Sequence, residues 1–276
     1  KVEGYDAFPS VFPGLFRESN GLKTKNGNIY PLGGISNKTI INCNEGGIWS
    51  VYESDEYGFN NSKGLYIENK VDILLIGDSF VEGACVKPID SISSVLNTLG
   101  LNSISIGKGS NGPLTELASL KEYAKPIKPK VVLWMYYVND LTNDLESELK
   151  SSILKKYLYE NDYSQNLFFR QEEIDSLLIK YIENKLENKI LEKNVDIVLD
   201  KSIDWHKIKA RILNILKLSH LRKMTNLKPK SANMKNPIFR DILKKSQEII
   251  SGWGGKMYFV YLPDFATYST GSEHLY

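Results

Sequence analysis

Val71–Gly83 reads VDILLIGDSFVEG, a short apolar run that reaches a glycine and then turns polar. Apolar runs of this length that end at a glycine are typical of strands buried on both faces of a parallel sheet. We therefore predict a strand over Val71–Ile76 and a turn into a helix from Gly77. Such a turn projects the hydroxyl of Ser79 above the sheet, beside the N-terminus of the following helix.

The pattern of a short apolar run and a helical period repeats along the chain. Alternating strands and helices are typical of a doubly wound α/β sheet, so the expected fold class is α/β with a parallel sheet. After the first strand the predicted order is helix Ile89–Leu99, strand Ser103–Ile106, helix Pro113–Tyr123, strand Val131–Val138, helix Asn236–Ile250 and strand Met257–Leu262.

Two regions lie outside this alternation. Residues 1–66 are rich in glycine, asparagine and aromatic side chains, and they predict an N-terminal β-rich extension with a hairpin of Thr39–Cys43 and Ile48–Ser54. Residues 67–276 form the predicted α/β domain. In this domain well over 100 residues separate the third and fourth strands, although a crossover needs only about a dozen. Polar helical periods there predict a helical insertion of about residues 142–230, roofing the carboxyl edge of the sheet, with helices over Leu141–Tyr159, Glu172–Leu191 and Trp205–Leu221.

The composition excludes several classes of partner. The chain has 276 residues, and its 35 basic and 33 acidic side chains leave a net charge of +2, which gives no sign of a nucleic-acid partner. The longest apolar run, Val131–Val138, is far shorter than the ~20 residues that span a bilayer, so no membrane span is expected.

The two cysteines, Cys43 and Cys85, are too few for a cysteine-rich zinc site. They are either two buried free thiols or one disulfide, and a disulfide would imply an oxidising compartment. Composition alone leaves both alternatives open.

Three loops leave the carboxyl ends of the first three predicted strands, and each carries residues suited to acyl transfer. Ser79 in the first loop suits a nucleophile, although Asp and Ser at a helix start also act as caps. The second loop, Gly107–Pro113, reads GKGSNGP, and its glycines let backbone N–H groups approach a substrate oxygen. The third carries Asn139 and Asp140; the Asn139 amide can donate to a developing oxyanion or tie neighbouring loops together.

The glycines of the second loop also match GxGxxG, the fingerprint of dinucleotide-binding folds. Two observations disfavour a nucleotide cofactor. The loop follows the second strand rather than the first, and Asp140, the next acidic residue at a strand end, lies 28 positions beyond Gly112. In the fingerprint that distance is about 20 residues.

In their order and placement the three loops resemble blocks I, II and III of the SGNH (GDSL-type) esterase superfamily. The sequence is closer still to a bacterial subgroup of uncharacterised SGNH hydrolase-like proteins, which it resembles at Tyr52–Asn61 (YESDEYGFNN), Asn111–Leu114 (NGPL) and Leu120–Tyr123 (LKEY). The resemblance covers roughly residues 30–150 and the strand near 258–261. It implies a three-layer α/β/α fold of flavodoxin-like type. It also implies hydrolysis or transfer of an ester-linked acyl group, often acetyl on a carbohydrate, with no metal or organic cofactor.

Carried over by position, the resemblance implies that Ser79 is the nucleophile and that its own N–H is one oxyanion donor. Asn139 would supply a side-chain donor. The family's glycine donor falls on Ser110, with Gly109 just before it. A serine at this position is expected to crowd the pocket or to demand a backbone angle that serine disfavours.

The family takes its catalytic aspartate and histidine from a late D-x-x-H motif, and none of the histidines here fits it. The residues three positions before His206, His220 and His274 are isoleucine, lysine and glycine. Two explanations stay open. In the first, the C-terminal part of the domain lies beyond residue 276 and supplies both groups, and the protein is an esterase or O-acyltransferase acting on a small-molecule or glycan ester. In the second, the chain is a non-catalytic SGNH-like module that binds a glycan.

The expected location follows from the same resemblance, whereas the expected cysteine pairing follows from the positions of the two residues in the sequence. The family commonly acts on envelope glycans, which favours the periplasm or cell surface, with the cytoplasm as the alternative. If the predicted hairpin packs against the Ser79 loop, Cys43 and Cys85 can form a disulfide, provided that their Cα atoms lie within ~7 Å.

Overall fold

The computed structural model describes residues 7–45, 47–137, 139–199 and 237–263. Residues 7–179 and 237–263 belong to one compact unit, and residues 180–199 belong to a second. The predicted helix Trp205–Leu221 and the three histidines lie outside the described residues. Among the helices in the described ranges, none combines the length and the apolar character needed to cross a bilayer.

The N-terminal segment forms two small sheets. Its strands are β1 (Phe8–Pro9), β2 (Leu22–Thr24), β3 (Gly27–Ile29), β4 (Thr39–Asn44) and β5 (Trp49–Glu53). Strands β4 and β5 pair antiparallel, which confirms the predicted hairpin, and β1 adds to β4 in parallel. Strands β2 and β3 form a separate antiparallel pair.

A parallel sheet of four strands follows, and the expected α/β class is confirmed. The strand order is β7-β6-β8-β9, so the first strand of the sheet lies between the second and the third. All four predicted strands are present, with ends shifted by at most two residues. They are β6 (Ile73–Ile76), β7 (Ser103–Ser105), β8 (Val131–Tyr137) and β9 (Lys256–Leu262).

Helices occupy most of the intervening sequence. The helices are α1 (Ser79–Glu82), α2 (Ile92–Thr98), α3 (Pro113–Ser119), α4 (Lys125–Ile127), α5 (Leu145–Glu148), α6 (Ser152–Tyr159), α7 (Gln171–Leu199) and α8 (Pro237–Gly252). Short 3-10 turns lie at Pro13–Phe16, Pro88–Asp90 and Leu167–Phe169, and π-helical turns at Leu120–Ala124 and Asp140–Asp144.

The single helix predicted over Leu141–Tyr159 is wrong, because it is broken after α5. The Ser151 side chain accepts a hydrogen bond from the Leu154 N–H and so caps the start of α6. A serine that bonds its own backbone three residues on favours a new helix start over continuation.

Helices pack on both faces of the parallel sheet, because successive side chains of a strand point to opposite faces. One face carries Leu75 and Met135, which pack with Ile92 of α2. The other carries Tyr136, whose ring centroid lies 5.5 Å from that of Phe239 in α8. Burial on both faces explains why these strands read as continuous apolar runs.

A disulfide joins the N-terminal segment to the sheet domain. Cys43 in β4 bonds Cys85, which follows α1, and their Cα atoms are 5.1 Å apart. Nearby, the Ser50 hydroxyl donates to the Val86 carbonyl at 2.9 Å. Of the two alternatives that composition left open, the structure shows the disulfide.

Replacing both cysteines with alanine should lower the free energy of unfolding by about 4 kcal/mol, since the disulfide closes a loop across a sequence separation of 42. Urea denaturation of the wild type and the Cys43→Ala/Cys85→Ala variant measures this loss. Reduction of the wild type should give a similar loss. A loss below about 1 kcal/mol would show that other contacts hold the two segments together.

Candidate functional site

The three loops that the sequence singled out meet at the carboxyl edge of the parallel sheet. A Cβ on Gly107 would lie 2.9 Å from the Asp78 carbonyl oxygen, so the second loop touches the backbone of the first. The Asn111 side-chain amide donates to the Gly77 carbonyl at 3.3 Å. The third loop joins the first through a side-chain hydrogen bond between Asn139 and Asp78.

Ser79 is the first residue of α1 and is partly exposed. The preceding Asp78 is the helix cap, and its carboxylate accepts a hydrogen bond from the Phe80 N–H at 2.9 Å. The side chain of Asp78 therefore caps α1, and the hydroxyl of Ser79 is not the capping group. Since all three histidines lie outside the described residues, the described chain offers no histidine as a base for this hydroxyl.

The glycine-rich loop is fixed to α1 by a buried ion pair. Glu82, on the last turn of α1, accepts a hydrogen bond from the Lys108 ammonium at 2.8 Å and another from the Gly109 N–H at 2.8 Å. Lys108 also donates to the Tyr52 hydroxyl of β5 at 3.1 Å. Of the two N–H groups considered as the second oxyanion donor, the Gly109 N–H is therefore already engaged by a carboxylate.

Ser110 adopts the left-handed backbone conformation, with φ of 60°. Of the two difficulties expected for serine here, the unfavourable backbone angle is the one the structure shows. Its carbonyl accepts a hydrogen bond from the Arg17 guanidinium. The N-terminal segment also packs closely here, since a Cβ on Gly14 would lie 2.9 Å from the Ser110 Cβ.

The amide of Asn139 is held by carboxylates on two sides. Its Nδ2 donates to the Asp144 carboxylate at 3.0 Å, and the residue also bonds Asp78. The other oxygen of Asp144 accepts from Arg17 at 2.9 Å. Asn139 thus ties two loops together, the structural role that the sequence left open, and it lies beside the Ser79 turn.

Five buried carboxylates lie under the loops, and sequence reasoning missed most of them. Burial raises the pKa of each: to about 8 for Asp140, to about 7 for Glu148, and well above the ordinary range for Glu116; repulsion by neighbouring acids adds to the effect at Asp140 and Glu116. The pKa values of Asp78 and Asp144 are also raised, mainly by burial. One signal was available, because residues 140, 144 and 148 follow the four-residue spacing of one helix face.

Glu148 shows why these acids are buried. One of its oxygens accepts the Gly112 N–H at 2.7 Å and the other the Leu114 N–H at 2.9 Å, and the Thr115 hydroxyl donates to the same carboxylate. These donors form the N-terminus of α3, where a negative charge is favoured. Glu148 thereby fixes the end of the glycine-rich loop to α5.

An aromatic pair lies next to the serine. The Phe80 and Tyr137 ring centroids are 4.6 Å apart, and Phe80 is 51% exposed. Phe80 directly follows Ser79, and Tyr137 lies two residues before Asn139. The pair forms an apolar surface at the rim of the site.

The raised pKa of Asp140 makes stability depend on pH. The folded protein holds a proton on Asp140 up to about pH 8, whereas the unfolded chain releases it near the ordinary value of 3.8. The contribution of Asp140 to the free energy of unfolding should therefore be greatest at acidic pH and fall as pH rises from about 4 to 8. Asp140→Asn should make this slope shallower by up to about 1.4 kcal/mol per pH unit. Urea denaturation at pH 5, 6, 7 and 8 measures both slopes.

Asp72→Asn is the matched control, because the Lys130 ammonium holds the pKa of Asp72 below its ordinary value. Asp72 is charged in both the folded and the unfolded state above pH 5, so its removal should leave the slope unchanged. An Asp140→Asn slope equal to that of the wild type would contradict a proton on this buried acid.

Comparison with known proteins gives no match: no family model, no curated protein and no solved structure is similar enough to this chain to count. The roles of the site residues therefore rest on their geometry and chemistry.

Proposed function

We propose that the protein is a serine esterase or O-acyltransferase of the SGNH type, with Ser79 as nucleophile. The observation that carries the proposal is the meeting of three loops at one edge of the sheet, which brings the Ser79 turn beside Asn139 and the glycine-rich loop. In open α/β sheets ligands bind outside the carboxyl ends of the strands. The strand order supports a flavodoxin-like fold, since β7-β6-β8-β9 is the order 2-1-3-4 of such sheets.

In the proposed reaction the Ser79 hydroxyl attacks the carbonyl carbon of an acyl ester. A C–O bond forms, the hydroxyl proton passes to a base outside the described residues, and the carbonyl oxygen becomes an oxyanion. Collapse expels the alcohol, which takes up a proton, and leaves an acyl-serine. Water or an acceptor hydroxyl then takes the acyl group, and the Ser79 hydroxyl is restored. The substrate class is a small-molecule or glycan ester.

Three donors are proposed for the oxyanion. They are the N–H groups of Ser79 and Ser110 and the amide of Asn139. Ser110 is favoured over Gly109, because the Gly109 N–H already donates to Glu82 at 2.8 Å. Burial raises the pKa values of Asp78 and Asp144, which bond the Asn139 amide. A substrate oxyanion would compete with these two side chains for the amide hydrogens of Asn139.

Ser79→Ala should lower turnover of an aryl acetate more than about 10³-fold and leave the fold intact, because it removes the attacking oxygen. The assay follows aryl alcohol release by the full-length protein. Ser152→Ala is the matched control, since Ser152 is likewise the first residue of a helix, α6, and is exposed. Equal turnover by wild type and Ser79→Ala would overturn the proposal and favour the glycan-binding alternative.

Asn139→Ala should lower kcat by about 10²–10³-fold, the usual cost of one oxyanion donor. The steady-state kinetics of the same ester measure this effect, and circular dichroism checks the fold. A folded Asn139→Ala variant with the kcat of the wild type would remove Asn139 from the oxyanion site.

A further inference from the structure

Arg17 lies far from the catalytic loops in sequence but reaches them in space. It follows the 3-10 turn Pro13–Phe16 of the N-terminal segment, and its side chain is 15% exposed. One Nη donates to the Asp144 carboxylate at 2.9 Å, and the other donates to the Ser110 carbonyl. The second Nη also lies 3.6 Å from the Glu148 carboxylate. A single guanidinium therefore contacts three groups: one on the glycine-rich loop, one on the π-helical turn Asp140–Asp144 and one on α5.

The contact with Ser110 bears on backbone conformation. A left-handed φ is costly for serine, and it persists only where the surroundings enforce it. The Arg17 hydrogen bond to the Ser110 carbonyl and the close packing of Gly14 against the Ser110 Cβ supply that enforcement. The Ser110 N–H belongs to the preceding peptide group, and its direction relative to the carbonyl is set by the φ and ψ angles of Ser110.

The contact with Asp144 extends to the third loop. Asp144 accepts Arg17 on Oδ1 and the Asn139 amide on Oδ2, so one carboxylate joins the guanidinium to the amide. Arg17 thus contacts the carbonyl of the residue whose N–H is one proposed oxyanion donor, and it reaches another donor through a single carboxylate. Its planar guanidinium, with five N–H donors in a fixed fork, suits this two-sided contact.

We propose that Arg17 is a positioning residue that sets the Ser110 N–H and the Asn139 amide in their places as oxyanion donors. This inference rests on the proposed acyl-transfer function and goes beyond it, because it makes the N-terminal segment a required part of the catalytic site. The competing role is structural: Arg17 would only neutralise the buried carboxylates Asp144 and Glu148.

Two variants separate these roles. Arg17→Lys keeps the positive charge but has no guanidinium fork, whereas Arg17→Met removes the charge as well. If Arg17 positions the donors, both variants should lose kcat by about 10²-fold, comparable to the loss of one donor, with KM changed less than about threefold. If Arg17 only neutralises charge, Arg17→Lys should restore the wild-type kcat, and that result would overturn the inference.

Arg170→Met is the matched control. Arg170 forms an ion pair with Glu173 at 2.9 Å and is about one-third exposed, and it makes none of the contacts described for Arg17. Its replacement should leave kcat and KM unchanged. Urea denaturation of all three variants shows whether each remains folded under assay conditions.

A measurement independent of activity separates this inference from the proposed function. In ¹H–¹⁵N spectra of the protein, Arg17→Lys should shift the Ser110 N–H and the Asn139 side-chain NH₂ signals, and Arg170→Met should leave them in place. An inactive wild type would refute the proposed function only, and the spectra would still decide whether Arg17 sets these two groups. Unshifted signals in a folded Arg17→Lys variant would overturn the inference.

Discussion

Buried carboxylates that accept backbone N–H groups hold the loops of this protein in place. A loop that is packed into a protein cannot leave its N–H groups without acceptors, and a carboxylate accepts several of them strongly. Glu82 and Glu148 hold the glycine-rich loop in this way, and Asp55 and Glu122 each hold another loop. The N–H groups they accept belong to Gly109 for Glu82, to Tyr57 and Phe59 for Asp55, to Gln165 and Leu167 for Glu122, and to Gly112 and Leu114 for Glu148.

Burying a carboxylate costs free energy, because its charge is removed from water. The structure offsets this cost in different ways at different positions. A buried carboxylate is tolerated if a cation pairs with it, and Lys108 does so for Glu82. Arg17 pairs with Asp144 and lies near Glu148. Among the described residues no cation pairs with Glu116, and burial beside other acids raises its pKa well above the ordinary value. The negative charge of the site is therefore limited in two ways: cations pair with some of the carboxylates, and burial raises the pKa of others.

Sequence reasoning located the parallel sheet and its loops but missed most of the acids beneath them. Strands buried on both faces must be apolar, so β6 and β8 were visible as uninterrupted runs. A glutamate such as Glu116 in a helical stretch reads as a solvated residue, and only the packing shows that it is buried. Arg17 could not be found either, because its partner Asp144 lies 127 residues away and no local pattern links them.

The strand β7 is an edge of the described parallel sheet, and side chains from elsewhere in the chain cover it. An edge strand exposes N–H and C=O groups that can pair with another chain. Here two asparagine side chains take the place of a neighbouring strand. The Asn97 amide bonds both the N–H and the C=O of Ser103, and the Asn61 amide does the same for Ser105, all at 2.7–3.0 Å. Asn61 belongs to the stretch YESDEYGFNN, and its neighbour Asn60 donates to the Glu82 carbonyl at 3.0 Å. Adjacent residues of the N-terminal segment therefore cover the edge strand β7 and contact α1, the helix that begins at Ser79.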